Sequence, residues 1–159
     1  MNMLQLIAKI DKSSRARLSW IQSFGASFGI VPRPIYGHIP LAQFPEEELQ
    51  TRIEQYGKLL EGHKAIPVFY TQIAVILQEA AVVAKAKPSE ELSSLRDGGA
   101  AAPWQPDTTL IRDDMVNLNW IKMAMDEMFQ PFEARVERIE IVRAVGDRFE
   151  VIAGFDLET

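Results

Sequence analysis

Two short segments hold the residue types from which phosphate chemistry can be built. Gly37-His38-Ile39-Pro40-Leu41 carries one of the chain's two histidines, and Pro106-Asp107-Thr108-Thr109-Leu110 carries an acid and two hydroxyls. His38 and Asp107 lie 107 − 38 = 69 positions apart. In a strand, residues i and i+2 share a face, so His38 goes with Pro40 and Asp107 with Thr109. If those two faces meet across a groove, one group can take a proton from water or a ribose hydroxyl. The other can protonate the departing oxygen, while hydroxyls hold the non-bridging phosphate oxygens. This chemistry needs no metal, and no cofactor is expected. A metal centre drawn from His38, Asp107 and His63 is not imposed by any spacing; His63, after Gly62, is more simply the positive complement of a helix C-terminus. Arg33, Tyr36 and Arg112 are further candidates for contacting phosphate or base. Arg112 is out of phase with Asp107 and Thr109, so it enters the groove only if its strand bends or bulges. Plain structural roles compete with these. His38 can be a hydrogen-bonded strand residue, and Asp107 after Pro106 can be a turn residue.

The elements that must position these residues follow from periodicity and punctuation. Met3 to Ile10 reads as a core strand rather than a secretion signal, because no basic residues precede its apolar run. Asp11 or Ser13 caps a helix running to about Phe28, with Leu18, Ile21, Phe24 and Phe28 as its buried stripe. After the prolines at 32 and 34 the first motif follows as a strand, Ile35 to Phe44. Pro45 and three glutamates open a second helix with Leu49, Ile53, Tyr56 and Leu60 inward. Two strands follow, about 66–77 and 80–87, then a short helix over 89–96 and a Gly/Ala-rich seam at 98–103. The second motif is a strand over Asp107–Arg112. Asp113 or Asp114 caps a helix over about 115–129, with Leu118, Ile121, Met125 and Met128 or Phe129 inward. Two strands, about 132–145 and 148–157, meet at a Gly146-Asp147 hairpin. The methionines at 115, 123, 125 and 128 read as core filling, and Trp20, Trp104 and Trp120 as core or seam residues.

This order, β-α-β-α-β-β-α-β-α-β-β, predicts a single α+β domain over 1–159 with mostly antiparallel pairing. The 69-residue offset continues without a gap from each motif through a helix and two strands, which predicts repeats over about 35–87 and 104–157.

Composition limits the function classes. With 47% hydrophobic and 25% charged residues the chain can bury a sizeable core. A net charge of −5 argues against gripping duplex DNA. No cysteine is present, which excludes disulfides and thiolate chemistry and fits a cytoplasmic setting. No membrane-spanning segment is expected. A monomer is expected, because the helix patterns leave no apolar face over. No Walker loop, G-x-G-x-x-G, serine elbow or H-E-x-x-H occurs.

The element order and the paired motifs resemble the two-histidine (2H) phosphoesterase superfamily, which includes 2′-5′ RNA ligase-like proteins and cyclic phosphodiesterases. That family carries two copies of H-x-T/S-x, one per lobe. Gly37-His38-Ile39-Pro40-Leu41-Ala42 is similar to the first copy, with Pro40 in the threonine position. Trp104-Gln105-Pro106-Asp107-Thr108-Thr109-Leu110 is similar to the second, with Asp107 in the histidine position. The resemblance covers nearly the whole chain. It implies two pseudo-symmetric lobes with helices outside and motif strands facing a central groove. It also implies a small nucleotide or RNA end as ligand, and hydrolysis of cyclic phosphate or 2′,5′-phosphodiester bonds. By it His38 becomes a catalytic acid or base and Thr109 a phosphate ligand, with Asp107 serving as base if His38 is the acid. Pro40 supplies neither hydroxyl nor backbone donor. An alternative is a non-catalytic relative that binds a nucleotide or another small anion in the same groove.

Overall fold

The computed structural model describes residues 2–28, 35–96, 104–112, 117–146 and 148–158. Strand β1 (Met3–Ile10) leads through α1 (Lys12–Gln22) and a 3-10 turn (Ser23–Phe28) to β2 (His38–Pro45). Then come α2 (Leu49–Leu59), β3 (Ile66–Ile76), β4 (Ala81–Ala86), the short α3 (Glu90–Ser93), β5 (Asp107–Arg112), α4 (Leu118–Met128), β6 (Phe132–Val145) and β7 (Arg148–Asp156). The order is the one expected, and the fold is α+β with an antiparallel sheet. Helices α2 and α4 each have 11 residues, and their first residues are 118 − 49 = 69 apart.

The sheet order is β2-β1-β6-β3-β4-β5, with β7 also on β6. β6 is long enough to fork: its start pairs β3 and its later part pairs β7. β2 and β5 close the two ends of this order, yet their Cα atoms come within 8 Å of each other. The sheet therefore curls until the two motif strands are neighbours.

One face of the curl carries the main core, including Leu4, Leu6, Ile39, Leu41, Tyr70, Leu110 and Ile139. Leu18 and Ile21 of α1, Tyr56 of α2, and Ile121 and Met125 of α4 pack onto it. The opposite face carries Ile7, Val83 and Val142, also buried, and forms the floor beneath the motif residues. Among the described residues no helix is long and apolar enough to cross a membrane.

Several expectations need correction. α4 is capped by Asn117, whose side chain accepts from the backbone of Asn119 and Trp120; Asp113, Asp114 and Met115 lie outside the described residues. Trp20 and Trp120 are exposed, at 50% and 62%, and of the described methionines only Met125 is buried while Met123 is 63% exposed. The reason lies in α4's geometry. Leu118, Ile121 and Met125 already fill the inward stripe, which turns Trp120 and Met123 outward. The premise for a monomer, that no apolar helix face is left over, therefore fails on α4. Trp104 is half-buried beneath the Arg96 guanidinium, 4.7 Å from its ring centroid.

Candidate functional site

Both motif strands carry a bulge. Opposite β1, Leu6 pairs Ala42 and Ile7 pairs Pro40, so Leu41 is the extra residue. Opposite β4, Val82 pairs Ile111 and Val83 pairs Thr109, so Leu110 is the extra residue. The two bulges are 110 − 41 = 69 positions apart. A bulge adds one residue to the count and reverses the alternation beyond it. On β5 this leaves Leu110 and Ile111 both buried and returns Arg112 to the face of Asp107 and Thr109. The condition set for Arg112 is thus met. The carbonyl of Leu110 is not left bare, because the buried Gln22 amide of α1 donates to it at 2.7 Å.

Alternation on each strand separates core from groove. Ile39 and Leu41 face the core, leaving His38 and Pro40 on the other side. Thr108 and Leu110 face the core, leaving Asp107 and Thr109 outside it. Thr108 serves the core, where its hydroxyl and that of Tyr70 share a buried hydrogen bond of 2.7 Å. β2 and β5 are neighbours, and alternation puts His38, Pro40, Asp107, Thr109 and Arg112 off the core face of their strands.

Electrostatics link the two sides. Burial, together with the charge of the Arg112 guanidinium on β5, pushes the His38 imidazole down to about 4. The ring is therefore neutral at pH 7. Asp107 moves the opposite way. Burial and the negative charge of Glu79 raise it, while Lys85 and Arg112 oppose the rise. Lys85 sits directly opposite Asp107 on β4, so the second motif has two cations at hand, Lys85 and Arg112.

His38 is also held by rings. Phe149 of β7 meets it edge-on at 4.9 Å between centroids, and Tyr36 at 6.0 Å. The Tyr36 hydroxyl donates to Glu140 Oε1 at 2.5 Å, and Arg138 Nε donates to Glu140 Oε2 at 2.8 Å. Glu140 is a buried carboxylate, 3% exposed, and is satisfied by these two donors. Burial and Glu140 together raise the Tyr36 phenol far above its usual range, so Tyr36 remains a donor.

Of the sequence-predicted residues, Arg33 lies outside the described residues, and Tyr36 turns its hydroxyl to Glu140. His63 is remote in chemistry: its Nδ1–H donates to the Lys64 carbonyl at 2.8 Å. Among the described residues no three His, Asp or Glu side chains gather as metal ligands. Glu140, Phe149 and Lys85 are contributors the sequence reading missed. Glu140 left a signal, a carboxylate alternating with Ile139 and Ile141 in a strand; Phe149 left none beyond its type.

No protein-family model matches the chain, and no curated protein matches it in sequence. Solved structures do match in fold. The Thermus thermophilus protein TT0787 is similar over 98% of this chain and 97% of its own, with a TM-score of 0.68 at 20% identity. E. coli LigT in complex with NADP+ is similar over 99% of both chains, with a TM-score of 0.60 at 17% identity. A protein described as a phosphoesterase matches over 100% of both, with a TM-score of 0.54 at 15% identity. LigT has also been solved with phosphate, with 3′-AMP and with ATP. The shared property at these identities is the fold, carried end to end.

Proposed function

We propose that this chain is a LigT-like 2H phosphoesterase relative whose groove binds the phosphate of a small nucleotide or RNA end. Each repeat, about 35–87 and 104–157, contributes one motif strand to that groove. The observation that carries the reading is the bulge at Leu110, which returns Arg112 to the face of Thr109 on the strand next to that of His38. A guanidinium and a hydroxyl on one strand suit the non-bridging oxygens of a phosphate. The fold shared with LigT, and LigT's complexes with 3′-AMP, ATP and NADP+, favour a nucleotide as the ligand.

The charge states suggest the division of labour in a hydrolytic step on a 2′,3′-cyclic phosphate. Water attacks phosphorus, and neutral His38 takes its proton. The bond from phosphorus to one ribose oxygen breaks, and that oxygen takes a proton, from the protonated fraction of Asp107, which grows as pH falls, or from water. The product is a nucleotide monoester. Arg112 and Thr109 stabilise the charge that grows on the non-bridging oxygens. An imidazole near 4 is a weak base and Pro40 offers no donor, so turnover is slow. Those same two features favour a second reading, nucleotide binding without turnover.

The test is hydrolysis of 2′,3′-cyclic nucleotides alongside calorimetry with 3′-AMP. The expected result is measurable hydrolysis that falls on the order of 100-fold in His38→Ala, the usual size of a lost acid–base group. Binding of 3′-AMP with no hydrolysis supports the second reading. Absence of both would sink the groove proposal.

A further inference from the structure

Beside the groove lies a second concavity, of about 400 Å³, lined by Lys9, Ile10, Arg15, Glu137, Arg138, Asp156 and Leu157. Strand register ties it to the motif. Lys9 pairs His38 on one side and Arg138 on the other, and Arg138 pairs Asp156. Directly paired residues share a face, so a row of side chains runs from His38 into this concavity. Neighbouring strands are about 4.8 Å apart, which puts the backbones of Lys9 and Arg138 roughly 5 and 10 Å from that of His38.

The cations divide into two kinds. Arg138 is committed to carboxylates, with Nη1 on Asp156 at 2.7 Å and Nε on Glu140; its guanidinium lies where a Cβ at Gly154 would collide with it. Lys9 and Arg15 form no ion pair among the described residues. The Lys9 ammonium stands over the Tyr36 ring, 4.3 Å from its centroid. The Arg15 Nη1 donates to the Ile10 carbonyl at 2.6 Å, which leaves its other N–H groups available. Arg15 is held in that pose by the residue before His38. Gly37 has φ +75, and a Cβ there would collide with the Arg15 stem. A side chain at 37 would meet both a strained backbone and Arg15. Two half-buried cations are fixed by a ring, a carbonyl and a glycine and have no ion pair among the described residues, while of the two carboxylates in the lining Asp156 is neutralised by Arg138 and Glu137 remains as a negative charge; three cations against two carboxylates leave the concavity net positive for an anion.

We propose that Lys9 and Arg15 bind a second phosphate of the same ligand, so that the preferred substrate class is a nucleotide phosphorylated at both ends of its ribose. This rests on the groove reading above, in which His38, Thr109 and Arg112 take the first phosphate. Arg138, with its carboxylates, forms the wall that orients the subsite.

Calorimetry with 3′-AMP and adenosine 3′,5′-bisphosphate tests the proposal on the full chain. The bisphosphate is expected to bind at least tenfold more tightly. Lys9→Gln and Arg15→Gln, which keep the stems, are each expected to remove most of that gain while leaving 3′-AMP affinity within about twofold. Thermal melting shows whether either variant is folded, and Gly37→Ala offers an independent route to displacing Arg15 with the same expected loss. Equal affinity for the two nucleotides in the wild type overturns the second-phosphate subsite and leaves the groove standing. Equal loss of both ligands in the folded glutamine variants overturns it as well. Binding of neither nucleotide by the wild type overturns the groove reading and this subsite together.

Discussion

The two motif strands share a bulge and lie beside each other, and differ in almost everything chemical. Around β2 the surroundings are aromatic. His38 is packed by Phe149 and Tyr36, its neighbour Pro40 offers no donor, and the ring is kept neutral. Around β5 they are ionic. Asp107 faces Lys85, Thr109 follows, and Arg112 returns to the same face after the bulge. Positions 69 apart therefore share backbone geometry and differ in side-chain chemistry. Strand geometry is kept more readily than side-chain chemistry, because pairing and bulges are fixed by the whole sheet. A single side chain at the groove can change without disturbing them.

The sharpest way to break this comparison is to remove the guanidinium of β5 and its counterpart on β2. Gln43 stands at the position equivalent to Arg112, 112 − 43 = 69. Arg112→Ala is expected to weaken 3′-AMP binding by about 2–3 kcal/mol, on the order of 30–100-fold, the scale of a lost hydrogen bond to a charged group. Gln43→Ala is expected to stay within about twofold. Calorimetry on both variants decides it. Comparable losses would mean that the strands share the phosphate equally and that the asymmetry between them is wrong.

The next effect concerns the aromatic side and needs no ligand. An imidazole near 4 in the folded chain and about 6.5 when unfolded binds its proton first in the unfolded state. Stability from this group is complete above pH 6.5 and is lost as pH falls toward 4. His38 should account for roughly 2–3 kcal/mol of destabilisation over that interval, allowing for its partial exposure. Urea titrations at pH 7, 5.5 and 4 check this, with His38→Gln expected to flatten that part of the curve. A wild-type slope unchanged by the substitution would place the ring in water rather than among Tyr36 and Phe149.

How much of this was legible beforehand depended on whether the signal was local. Asp11 caps α1 as its side chain predicts, accepting from Ser14, and β5 spans Asp107–Arg112 as expected. Caps and short strands are written in a few adjacent residues. The bulge was legible only as a condition, since it depends on how β5 pairs β4 and on Gln22, 88 positions from the carbonyl it satisfies. The inward stripe of α4 was readable, but Trp120 and Met123 were misplaced because residue type suggested burial where helical phase forbids it. The charge states of His38 and Asp107 were not legible for a similar reason. Their proton affinities are set by Arg112, Lys85 and Glu79 as well as by burial, and the sequence does not mark those residues as neighbours.

Asp107 gives the smallest and most discriminating prediction. A carboxylate opposite a bound phosphate repels it, and its neutral amide does not. At a few ångströms in a hydrated groove that repulsion is worth about 1 kcal/mol. Asp107→Asn should therefore tighten 3′-AMP binding by about fivefold. If the protonated fraction of Asp107, which grows as pH falls, is also the proton donor to the departing oxygen, the same variant should lose hydrolysis of 2′,3′-cyclic nucleotides at the acid end of the profile while gaining affinity at neutral pH, where the carboxylate is ionised, because an amide can neither carry the charge nor release that proton. The opposite movement of two measurements on one variant is what structural damage would not produce, since damage lowers both. Tighter binding with unaltered turnover would leave Asp107 as a charge in the groove without a proton to give. No change in either would move its side chain out of the groove, and the second motif would then consist of Thr109 and Arg112 alone.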